Sequence, residues 1–150
     1  MKRSPTKPKL LYDTDYVRWV ETTLQQLRDR RYDCVDWDNL LDEIEDMSRR
    51  ERQSLKTNLV VILLHLLKWQ FQPERRSGSW AGSIAEHRRR VLDSLEESPS
   101  LKPYLETVLA RCYYNARKQA HLETGLPLAV FPSACPYTVE NILDENFCTE

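Results

Sequence analysis

Between Ser48 and Pro73 the chain contains neither glycine nor proline, and its middle reads "NLVVILLHLLKW" over residues 58–69. This run limits the fold more than any other feature. Wound as a helix, it places Leu55, Leu59, Val60, Ile62, Leu63, Leu64, Leu66, Leu67 and Phe71 around most of the circumference. Ser54, Asn58, Val61, His65, Lys68 and Gln72 share the narrow strip that remains, with Trp69 at its boundary. A helix apolar nearly all round must be surrounded by other helices. A membrane span needs roughly 20 mostly apolar residues, and His65 and Lys68 interrupt this run too early. The expected fold is therefore an all-α bundle of about five main helices with this one, helix 3, at its centre.

The ends of that helix carry their own signals. Ser48-Arg49-Arg50-Glu51 has the spacing of a capping box, so a helix start at Arg49 is expected. Pro73 lacks an amide and clashes with the preceding turn, which stops it. Upstream, Asp13 or Thr14 caps a first helix running to about Arg30, with Val17, Val20, Leu24 and Leu27 on one face. A second helix follows Asp36, with Trp37, Leu40, Leu41, Ile44 and Met47 expected to face inward and the other positions acidic. Downstream, a fourth helix starts near Ser79 or at Ser83-Ile84-Ala85-Glu86 and ends by Glu97. A fifth begins at Pro99 or Pro103 and ends at Gly125, a credible left-handed cap before Pro127. "LPLAVFPSACP" reads as an extended strap, followed by a short terminal helix over about 139–145.

Bulk properties exclude several classes. Net charge is −1 and three isolated glycines cannot build a phosphate-cradling loop. The four cysteines are widely spaced, without a zinc or redox pair. The basic start lacks the apolar segment of a secretory signal. The chain is thus expected to hold a loose basic tail over 1–11 and one soluble, cytoplasmic helical domain over 12–150.

The polar strip on helix 3 admits two readings. In one it simply meets solvent, with Lys68 laying its methylenes on Trp69. In the other, His65, Lys68 and Gln72, with Arg75 and Arg76 beyond, form one wall of an anion pocket. Polar residues on a single stripe are what solvent contact produces, so the first is preferred.

The blocks "DNLLDEIEDM", "HLLKWQFQPERRSGSW", "SPSL" and "FPSACPYTVENILDENF" occur in the order found in the family known as domain of unknown function 29, which this chain resembles over 12–147. The resemblance implies a compact helical fold and a bacterial, typically cyanobacterial, cytoplasmic origin. It brings no established activity. Positions matching the family's blocks include Glu43, His65, Lys68, Trp69, Pro73 and Trp80, so Glu43, His65, Lys68, Gln72, Arg76 and Trp80 form the candidate polar site.

Catalytic constellations are scarce. No histidine has an acid three residues before it, as carboxylate-bridged metal bundles require. Glu43-x-x-Asp46 resembles the acid pairs that hold magnesium in all-helical nucleotide pyrophosphatases, but the next such pair, Asp93 and Glu96, comes far later. Glu43 and Asp46 are therefore only weak metal candidates. Arg75, Arg76 and Arg88 to Arg90 beside Trp80 suggest a nucleic-acid patch, yet three consecutive residues point in three directions around a helix. The expected function is a non-enzymatic binding or protein-interaction domain, with no catalytic residue and no cofactor. The expected partner is another protein, with self-association as an option, and neither membrane nor nucleic acid is expected. The alternatives are a magnesium-dependent phosphohydrolase acting on a nucleotide-like substrate and, more weakly, a nucleic-acid-binding module.

Overall fold

The structure, a computed structural model, describes residues 10–147 and contains helices without strands among them. The expected all-α class and the long central third helix are both present. Residues 1–9 of the expected tail lie outside the described residues, whereas Leu11 already opens a short helix. Six α-helices follow in order: α1 (Leu11–Thr14), α2 (Tyr16–Arg28), α3 (Trp37–Phe71), α4 (Gly78–Glu97), α5 (Leu101–Thr124) and α6 (Val139–Leu143). None is long and apolar enough to cross a membrane.

The expected break at Ser48 is absent. Helix α3 is continuous over 35 residues, on the order of 50 Å at ~1.5 Å per residue. The Ser48 hydroxyl donates to the Glu45 carbonyl at 3.0 Å, a mid-helix bond, instead of accepting from a helix-start amide. With Arg49, Arg50 and Glu51 all good helix formers and no proline nearby, nothing stops propagation there. The true cap is Asp36, whose carboxylate accepts from the Asn39 backbone and side-chain amides.

The chain divides into two compact units, Met1–Ser48 and Arg49–Glu150, so α3 contributes residues 37–48 to the first and the rest to the second. The second unit holds the main core. Leu55, Leu59, Ile62, Leu63, Leu66 and Leu67 are fully enclosed, packed with Ile84 and Val91 of α4 and Leu105, Ala116 and Ala120 of α5. Helix α4 starts earlier than expected because Ser77 accepts the Trp80 amide. Helix α5 starts between the two candidate prolines and keeps Pro103 in its first turn, where a missing amide costs least. Gly125 closes α5 at φ 72°, as its left-handed cap, donating to the His121 carbonyl.

The strap after Gly125 is pinned by side chains from α5. Arg117 donates to the carbonyls of Phe131 and Leu128, and Tyr113 donates to Pro132. Phe131 thereby sinks into the core against Phe71. A Thr138–Asn141 capping box then starts α6.

The first unit is different. Its buried apolar side chains are Trp19 and Val35, accompanied by Thr23 and Glu43. Of the residues on the expected apolar faces, Leu27 and Leu40 are half-buried and the others are exposed. Val17 is 64% exposed, Leu41 59% and Met47 60%, with Val20, Leu24, Trp37 and Ile44 also exposed. Their spacing is that of a buried face, but among the described residues no side chains cover it. Fewer than fifty residues close a core only with difficulty.

Candidate functional site

Ser54, at the start of the polar strip of α3, is exposed, whereas the strip from Asn58 onward is buried or half-buried. Its members are taken up by α4, α5 and α3 itself. His65 donates through Nδ1 to the Val61 carbonyl at 2.8 Å, one turn back. Lys68 Nζ meets the Glu123 carboxylate of α5 at 2.6 Å and lies 5.5 Å above the Trp80 ring of α4. Gln72 is buried at the helix end. Arg76 folds back, donating Nε to the Trp69 carbonyl at 2.8 Å with its guanidinium over that indole.

The electrostatics follow from this enclosure. Burial pushes the His65 imidazolium pKa down, opposed by its bond to Val61, and the Lys68 and His87 charges push the same way while Glu123 opposes. Burial alone would raise the Glu123 carboxyl, but the Lys68 and Gln119 hydrogen bonds outweigh it and leave it below its ordinary value. The product is a neutral imidazole beside a compensated ion pair under an indole. His87 also spends Nδ1 on the carbonyl one turn back, that of Ser83. Such a cluster joins three helices and offers no unpaired charge to a substrate.

Of the six candidate residues, the structure joins Lys68 directly to Trp80, with His65 one turn from Lys68 on the same strip. Arg76 is engaged with Trp69, and Gln72 is buried. Glu43 belongs to the first unit and has its own surroundings. Its two carboxylate oxygens accept from Tyr12 at 2.6 Å and Tyr16 at 2.8 Å. The bond to Glu43 is the main reason the Tyr12 phenol is pushed up to about 12. Both tyrosine rings pack on Trp19, at 4.9 and 6.0 Å between centroids. Asp46 is half-buried, and no group of three metal-ligating side chains occurs among the described residues. Glu43 thus anchors an aromatic cluster.

The arginine triplet also needs correcting as a patch. Arg89 and Arg90 pair along α4 with Asp93 and Glu86. Arg88 is buried, donating Nε to the Ile142 carbonyl at 2.6 Å and reaching the Glu145 and Phe147 carbonyls.

What remains available is the first unit's apolar face. Trp19, Val20, Leu24, Leu27, Leu40, Ile44 and Met47, with Glu43 among them, line a surface groove of about 180 Å³ between α2 and the first part of α3. The Trp19 indole Nε1 is buried without an acceptor among the described residues. Residues 11–148 match the family described as domain of unknown function DUF29. The chain belongs to that family. No curated protein and no solved structure matches it. The DUF29 match takes in both units, so the apolar groove and the enclosed polar cluster lie within the family region. In this DUF29 chain the sequence signal for the groove is present as helical periodicity in α2 and early α3. Periodicity reports a shared face without reporting what covers it.

Proposed function

We propose that this DUF29 chain is a non-enzymatic protein-interaction domain whose first unit receives a basic amphipathic helix. One observation carries the reading: large apolar side chains of α2 and early α3 stand exposed along a groove. Monomeric proteins rarely leave contiguous apolar surface open, and grooves between helices commonly receive the apolar face of another helix.

Charge selects the occupant. Residues 11–48 hold eleven carboxylates against four arginines. Asp38 and Asp42, exposed and one turn apart on α3, border the apolar arc beside Leu41 and form no ion pair among the described residues. A second copy would bring like charge against like. A helix with leucine on one side and lysine or arginine on its flanks complements both features.

The test uses a synthetic peptide of about 14 residues, the span of α2 at ~1.5 Å per residue, with leucines at helical spacing and lysines elsewhere. It is expected to bind saturably and more weakly as salt rises, while the same peptide with glutamates does not bind. The double substitution Leu24→Asp and Ile44→Asp should weaken binding by about a hundredfold or more, roughly 3 kcal/mol for burying a charge in the groove, without lowering the unfolding midpoint. Equal binding of both peptides, or unchanged binding by the double variant, refutes the reading. Sedimentation as a dimer that these substitutions dissolve would instead assign the groove to a second copy.

A further inference from the structure

We propose that the groove between α3 and α5 in the second unit binds a phosphate group, as inorganic phosphate or as the phosphate of a small monoester. This groove lies wholly within the second unit and encloses about 320 Å³. Its polar lining comes from Gln53, Lys56 and Thr57 of α3 and Arg111 and Asn115 of α5, with Cys112 between them. No carboxylate contributes to the lining.

Many basic side chains of this unit are already engaged. Lys68 meets Glu123, Arg89 meets Asp93 and Arg90 meets Glu86. Arg88 satisfies carbonyls, while Arg52 and Arg76 lie over the Tyr104 and Trp69 rings. Lys56 and Arg111 have no ion pair, ring contact or side-chain hydrogen bond among the described residues. Yet they share one hollow. Burial raises the Cys112 thiol pKa, and the Lys56 and Arg111 charges each pull against it, so both are close to the same sulfur. The Cys112 thiol donates toward the Lys56 carbonyl at 3.9 Å, tying the helices together at the groove floor.

The neutral neighbours suit an oxyanion. The Gln53 and Asn115 side-chain amides line the groove and make no hydrogen bond among the described residues, so both retain NH donors. Thr57 has already given its hydroxyl proton to the Gln53 carbonyl. Two cations with two amide donors match the charge and acceptor count of a phosphate dianion, and a guanidinium binds two of its oxygens at once. Little apolar surface lines the space, so the rest of the ligand is small and polar.

The test titrates the full chain with inorganic phosphate, with glycerol phosphate and with chloride at constant ionic strength, reading nitrogen-15 spectra and the unfolding midpoint. Phosphate is expected to shift the Gln53 and Asn115 side-chain amide resonances saturably and to raise the midpoint, while chloride does neither. Lys56→Gln and Arg111→Gln should each weaken binding about tenfold or more, as loss of one charge-assisted contact does, with the ligand-free midpoint retained. Tighter binding of glycerol phosphate assigns a monoester; equal binding assigns free phosphate. Equal responses to phosphate and chloride, or undiminished binding by both variants, overturn the site. So does binding of an oligonucleotide without binding of either small phosphate.

Discussion

Leu63→Ala is expected to lower the unfolding free energy by about 2–5 kcal/mol, the cost of removing a buried leucine and leaving its cavity. Leu63 has no solvent exposure and lies in the tier of α3 that packs with helices α4 and α5. Leu66, equally enclosed, should behave the same way. Denaturant unfolding checks this through a lower midpoint at unchanged slope, the mark of lost stability without a change in exposed area. Leu41→Ala supplies the contrast, because that side chain is already exposed and its truncation removes little burial. A cost near zero for Leu63 together with a large one for Leu41 would reverse the assignment of core and surface.

The second large effect falls on Arg88. Its guanidinium is enclosed and donates to the Ile142 carbonyl at 2.6 Å, with the Glu145 and Phe147 carbonyls at 3.5 Å. These acceptors lie at and just beyond the end of α6, where helix carbonyls lack partners of their own. Arg88→Ala is expected to cost on the order of 3 kcal/mol, as removal of a charge-assisted donor from buried acceptors does. Arg88→Lys should recover little, since an ammonium cannot reproduce the planar fork. The loss should be accompanied by faster amide exchange over 139–147. Wild-type stability in Arg88→Ala would mean that α6 is held by Val139 and Ile142 packing alone.

How much of this was legible in the sequence depended on the range of the interaction. Pro73 and Gly125 act through their own backbone, and both ended helices where local rules place them. The buried set from Leu55 to Leu67 followed from circumference alone. Ser48 misled because Ser-x-x-Glu caps a helix only where the preceding residues leave helical geometry, and residues 37–47 do not. Arg88 was indistinguishable from Arg89 and Arg90 until the chain some 54 positions later folded over it. The same is true of Lys68, whose acid, Glu123, lies on another helix. At Glu43 the sequence indicated an acid worth inspecting, while its tyrosine partners, 27 and 31 positions earlier, were hidden. The apolar arcs of α2 and early α3 were visible as arcs, but a buried face and a docking face have one and the same spacing.

Native-state hydrogen exchange read amide by amide tests most directly whether a closed core around late α3 coexists with an open face in the first unit. Amides over 59–67 should exchange only through global unfolding, while those over 16–28 open at far lower free energy. Equal protection of the two stretches, or faster exchange at Leu63 and Leu66 than in α2, would contradict the account.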